Sequence, residues 1–163
     1  PGQKDNVVGI NQKADFIVAL PHWGNEYQLR HSAKQEEWAE FLVREGADVV
    51  VGSHPHVVQD TTHIRKVPVI YSMGNAISNM SAINTRLELA VRLRFVKHLD
   101  EAEKMLEPEL VFLWCTLPGR LSDTYATISV EEYKNGRSEW INPSDYDNMT
   151  ATLERVKSAT GIR

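Results

Sequence analysis

Two short apolar runs, each opening into a loop that carries histidine, bracket one helical segment and leave few folds open to this chain. Phe16-Ile17-Val18-Ala19-Leu20 leads into Pro21-His22-Trp23-Gly24, and Val49-Val50-Val51 stops at Gly52, ahead of Ser53-His54-Pro55-His56. Runs this short and this apolar read as buried strands, the first over Asp15–Leu20 and the second over Asp48–Val51. Between them, Ala33 to Glu45 sets Ala33, Trp38, Phe41 and Leu42 near helical spacing, with Gly46 placed as a carboxyl-terminal cap. A strand–helix–strand unit joins parallel strands. The loops after such strands are where α/β sheets hold their ligands.

Imidazole is the commonest neutral metal ligand, so the two histidine loops read together as a candidate metal site. Pro55 fixes the backbone between His54 and His56, two closely spaced donors at a strand end. A lone histidine after a strand is more often a loop or core residue, and His22 taken alone carries little weight. His31, His63 and His98 have no comparable context.

The blocks Phe16 to Tyr27, Gln35, Gly46 to Gln59 and Val69-Ile70-Tyr71-Ser72-Met73-Gly74-Asn75 together resemble the bacterial capsule-synthesis protein family. That family is associated with poly-γ-glutamate and capsule assembly and is similar to the calcineurin-like metallophosphoesterases. The likeness runs from about Asp15 to Asn75, nearly half of the chain. It implies an α/β fold with mixed sheets, part of a layered αββα sandwich, parallel strands first and antiparallel strands after. By this resemblance His22 matches the histidine of the superfamily's fourth motif. His54 and His56 match the paired histidines of the fifth, with Ser53 inserted after the glycine. These three are the implied metal ligands, for divalent Mn, Fe or Zn. With Glu26 they form the candidate catalytic set, Glu26 being open to reading as a ligand, a general acid or, by preference, a carboxylate that orients a histidine.

The superfamily's early motifs, Asp-x-His, Gly-Asp and Gly-Asn-His-Asp/Glu, do not occur in this sequence. Residues 1–163 therefore read as one domain, the carboxyl-terminal portion of a longer polypeptide. The implied function is capsule or poly-γ-glutamate-type polymer biosynthesis at the cell envelope, extracytoplasmic or periplasmic. The full-length protein reads as a metal-dependent phosphoesterase-like hydrolase, and this portion alone reads as inactive. The alternative is a non-catalytic assembly or polymer-binding component with structural histidines. Expected partners are the polymer or its precursor and a second copy of the chain, since uncovered strand edges invite pairing. Membrane association would come only through an amino-terminal segment.

The remaining sequence adds a second style of strand. Leu87, Leu89, Val91, Leu93 and Phe95 alternate with Glu88, Ala90, Arg92 and Arg94, which predicts an antiparallel strand with one wet face. Glu109–Leu117 and Tyr125–Val130 continue the style, and Val67–Met73 is a third strand of the first group. Lys97 to Glu107 reads as a solvated hairpin connection, and Ser144 to Lys157 as a closing helix capped by Ser144. A net charge of −4 offers no basic footprint, which argues against nucleic acid. Cys115 lies in an apolar strand pattern and reads as a buried structural thiol. Trp23 reads as a packed wall, Asn75 equally as an amide that fixes loop geometry or as one that touches ligand, Arg30 as a weak candidate for anion binding, and Gln59 carries no assigned role.

Overall fold

Three consecutive valines make β2 (Val49–Val51), and all three are buried. Successive strand side chains point to opposite faces, so such a run requires cover on both. A computed structural model, describing residues 14–97, 104–134 and 136–163, supplies that cover. One face, with Val50, Val69 and Tyr71, packs against Ala39 and Val43 of helix α1 (Ala33–Arg44). The other, with Val49, Val51 and Ile70, packs against Leu87, Leu89 and Trp114 of a second sheet and Met149 and Val156 of a long helix.

The first sheet has the order β1-β2-β4-β3. β1 (Val18–Ala19) and β4 (Val67–Ile70) lie parallel to β2, and β3 (Thr61–Ile64) pairs antiparallel with β4. The second sheet is antiparallel and runs β5 (Leu87–Arg92), β8 (Glu109–Thr116), β9 (Ala126–Ser129). A separate ribbon pairs β6 (Phe95–Val96) with β7 (Lys104–Met105). The short helix α2 (Val130–Tyr133) follows β9, and α3 (Pro143–Thr160) closes the chain. This is an α/β fold with a mixed sheet, parallel pairing first and antiparallel after.

Helix α1 is bounded as its sequence dictates. Ser32 accepts from the Gln35 backbone N–H at 3.3 Å, and Gln35 Oε1 accepts from the Ser32 backbone N–H at 3.0 Å, closing a capping box. At the other end Gly46 takes φ 104°, its N–H bonding the Val43 carbonyl while the Ala47 N–H reaches Leu42. That pair of bonds is a Schellman ending, which needs the left-handed backbone that glycine adopts without penalty. Ser32→Ala should lower unfolding free energy by about 1 kcal/mol. A urea midpoint equal to wild type would show that the cap is redundant.

Several expectations are corrected here. The first strand is a short edge strand, not a buried one over Asp15–Leu20: Val18 is 36% and Leu20 71% exposed. Its amino-terminal flank is tied to a side chain, the Ile17 N–H donating to Asp48 Oδ2 at 2.7 Å. Trp38, one of the residues that marked α1, stands 47% exposed, because the buried positions are Gln35, Ala39 and Val43. Glu88 lies on the expected wet face of β5 yet is 2% exposed. The cap of α3 is Asn142, whose side chain accepts from the Ser144 N–H, with Pro143 in the first turn. The Lys97–Glu107 connection is flanked by the β6–β7 pair, and its residues 98–103 lie outside those described.

Candidate functional site

The parallel ladder between β1 and β2 continues one step past both strands, and this carries the histidines to one place. The Trp23 N–H donates to the Ser53 carbonyl at 3.1 Å, and the Ser53 N–H to the Pro21 carbonyl at 3.0 Å. His22 and Ser53 thereby form a parallel bridge. Gly52 makes the step possible. A Cβ there would lie 2.2 Å from the Tyr71 carbonyl oxygen and 2.4 Å from Trp23 Nε1, which itself donates to that oxygen at 2.8 Å. Trp23 is thus a wall over the sheet, as its sequence context suggested.

The three histidines cluster at this end of the sheet. His22 Nε2 and His54 Nδ1 are 3.0 Å apart, and their ring centroids 4.7 Å. The His54 and His56 centroids are separated by 6.1 Å. The Ser53 hydroxyl lies 3.2 Å from His22 Nδ1, so the residue inserted after Gly52 contacts the other histidine loop. Sequence reasoning registered Ser53 only as a departure from a motif.

His56 is held more firmly. Asn75, delivered by the segment after β4, donates through Nδ2 to the Thr85 carbonyl at 3.1 Å. Its Oδ1 is therefore turned toward His56 Nδ1, 2.8 Å away. An amide oxygen can only accept, which fixes the proton on Nδ1 and leaves the lone pair on Nε2. Glu26 Oε1 is 3.9 Å from that Nε2, beyond hydrogen-bond reach. It offers long-range charge to the ring and does not orient it. The orienting group is Asn75.

The backbone of this loop cluster is strained. His54 has φ 99°, His56 φ 61° and Tyr27 φ 64°, all in the left-handed region where side chains other than glycine are disfavoured. Tyr27 is tied in by its N–H, which donates to the Pro55 carbonyl at 2.8 Å, and its ring stacks on His56 at 6.2 Å. Strain of this kind costs roughly 1–3 kcal/mol per residue and persists where surrounding structure over-determines it, characteristically at functional sites. No motif announced Tyr27.

Gln59, Arg30 and Gln35 belong to the support of this loop. Gln35 Nε2 donates to Gln59 Oε1 at 2.7 Å, and Gln59 Nε2 donates to the carbonyls of Gln28 and Arg30 at 2.9 and 3.1 Å. The Arg30 guanidinium sits 3.8 Å from Asp60. His31, left without context by the sequence, bonds Asp60 through Nδ1 at 2.8 Å and stacks on Tyr71 at 3.8 Å. These residues pin the His22–His31 loop across α1 and the start of β3.

Among the described residues no group of three or more His, Cys, Asp or Glu side chains is arranged to hold a metal ion. The donor chemistry says why. His22, His54 and His56 bring neutral nitrogens, and the carboxylate beside them, Glu26, is about half exposed and 3.9 Å from His56. Neutral donors alone do not balance a divalent pair, and the described residues do not complete a metal centre.

Residues 4–80 match the family "Bacterial capsule synthesis protein PGA_cap". The chain is similar to the capsule biosynthesis protein CapA of Bacillus anthracis, 38% identical over 73 residues, which are 45% of this chain and 18% of that protein. It is also similar to the PGA biosynthesis protein CapA of Bacillus subtilis (strain 168), 32% identical over 85 residues, covering 52% of this chain and 22% of that protein. The matched segment therefore spans less than a quarter of either relative. His22, Ser53, His54, His56 and Asn75 all fall within the matched residues.

Proposed function

We propose for this chain, from the match of residues 4–80 to the bacterial capsule synthesis protein family, a role in capsule or poly-γ-glutamate-type polymer biosynthesis at the cell envelope. Its histidine cluster is the neutral-ligand half of a metal-dependent hydrolase site. The carboxylate ligands come from elsewhere in a longer polypeptide. The observation that carries this reading is His56. Its Nδ1 is held by Asn75, its ring centre lies 6.1 Å from that of His54, and its backbone is held at positive φ. A ring whose second nitrogen is fixed by a dedicated partner is how proteins present imidazole to a metal. When bound, a divalent metal supplies a Lewis acid for a phosphoryl or acyl oxygen.

The residues' own contributions follow from geometry. Asn75 sets the tautomer of His56, Ser53 restrains His22, and Tyr27 covers one face of His56. Among the described residues no helix is long and apolar enough to cross a membrane.

A non-catalytic reading has one observation in its favour: His22 and His54 satisfy each other at 3.0 Å. Metal analysis separates the two. The longer polypeptide should retain divalent metal after purification, and the 163-residue chain should bind it far more weakly. Asn75→Ala should cut the affinity of the longer protein by about 10–100-fold by releasing the His56 ring. Metal content indifferent to Asn75→Ala and to His56→Ala, with thermal stability lowered instead, would establish the structural role and end the metal-site reading.

A further inference from the structure

On the face of the second sheet turned away from Leu87 and Trp114, Glu88 is 2% exposed, and neither of its carboxyl oxygens has a hydrogen-bond partner among the described residues. Across the β5–β8 ladder it faces Leu113. The neighbouring Thr127 hydroxyl donates to the Ala76 carbonyl at 2.8 Å. A buried carboxyl left unbonded is destabilising, and an apolar residue of similar shape would avoid that cost. Packing does not explain it. Glu88 lies in the wall of an open pocket of about 370 Å³, whose other walls include Met73, Ala76, Ile77, Ala90 and Leu113. That volume lies within the range of small-molecule sites, which are mostly apolar with a few placed polar groups.

We propose that this pocket binds an organic cation, an N–H-bearing ammonium group on an apolar stem, with Glu88 as its counter-charge and Met73, Ile77 and Leu113 against the stem. Two unsatisfied acceptor oxygens call for N–H donors, and a cation repays the desolvation of the carboxylate better than a neutral donor. The apolar walls suit methylenes and disfavour a ligand with several charges. Free amines share this chemistry with a lysine side chain from the longer polypeptide.

The surroundings favour exchange of a proton for the cation. Burial pushes the Glu88 carboxyl up to about 8; the nearby Thr127 hydroxyl acts in the opposite sense, but it is committed to the Ala76 carbonyl and makes no hydrogen bond to Glu88. Arg86, two residues earlier, is committed to Asp145 and to the Cys115 carbonyl. Among the described residues the remaining ionisable neighbour is the Cys115 thiol, itself raised by burial. Glu88 therefore carries its proton at neutral pH when the pocket is empty, and a bound ammonium displaces it.

Calorimetric titration of n-butylammonium into the 163-residue chain at about pH 6.5 and about pH 8.5 tests the assignment. Saturable binding at least about tenfold tighter at the higher pH is expected, because the carboxyl must first lose its proton. Glu88→Gln should weaken it at least about tenfold, and n-butanol, the neutral isostere, should show no pH dependence. Carbon-13 NMR of the Glu88 carboxyl in wild type should show its titration moving to lower pH as amine is added, a readout that needs no variant to fold. No saturable binding at either pH, or equal binding by Glu88→Gln, would overturn the proposal. In the longer polypeptide, amine binding identifies a free amine as occupant. Its loss with an ordinary Glu88 titration identifies a resident lysine, and its loss with Glu88 still titrating near 8 overturns the site.

Discussion

Asp145→Ala should destabilise the chain by about 3–5 kcal/mol, enough to remove a large part of the stability of a domain this size. Asp145 is 2% exposed in the first turn of α3, and it accepts from Arg86 Nη1 and Nη2, both at 2.7 Å. Arg86 Nε donates to the Cys115 carbonyl at 2.9 Å, and the guanidinium lies 4.4 Å from the Trp114 ring centre. This buried pair ties the 3-10 turn before β5, the strand β8 and the closing helix to one point. Removing the carboxylate strands a guanidinium that is 4% exposed. Arg86→Met with Asp145→Leu should recover most of the loss, because the cost is that of an unpaired buried charge. Chemical denaturation of the singles and the double decides it. A double variant as unstable as Asp145→Ala would mean that the pair's hydrogen-bond geometry supplies stability that apolar packing cannot replace.

What the sequence made legible is the part of the fold governed by local pattern. The apolar runs at Val18 and Val49–Val51, the Ser32 and Gly46 boundaries of α1 and the alternation of β5 all have a period or a cap to announce them. The histidine loops could be placed because a β–α–β unit leaves both at one end of a parallel sheet. The β3–β4 hairpin was not legible. Its turn residues, Arg65 at φ 50° and Lys66 at φ 71°, adopt the left-handed geometry that asparagine and glycine usually mark. Trp38 misleads for a related reason: helical spacing reports a face, and here Gln35 is buried among the core residues by its bond to Gln59. Ser53 and Asn75 support the histidines through hydrogen-bond contacts 31 and 19 residues distant in sequence, and Tyr27 by stacking on His56, neighbours that only the folded chain brings together. The buried Arg86–Asp145 pair, 59 residues apart, had no sequence signal at all.

Glu88 should make this domain lose stability as pH rises, opposite to the usual behaviour of a paired carboxylate. Its folded-state value of about 8 stands above the ordinary 4.5, because burial penalises the charged form. Below the ordinary value the group is protonated in folded and unfolded chains alike, and its titration contributes no pH dependence. Between that value and about 8 the unfolded chain has released the proton while the folded chain keeps it, so the folded state binds more protons and stability falls with increasing pH. Above the folded value the loss is complete. At about 1.4 kcal/mol per pH unit the full effect is on the order of 5 kcal/mol. Glu88→Gln carries no titrating proton there, so the difference in unfolding free energy between wild type and Glu88→Gln isolates this group from every other. That difference should shift steadily against wild type from about pH 5 to about pH 8. Parallel stability curves across that interval would show that water or another group already satisfies the carboxylate. The same measurement repeated with n-butylammonium should restore wild-type stability at the alkaline end, since a ligand bound by the folded state alone stabilises it by mass action.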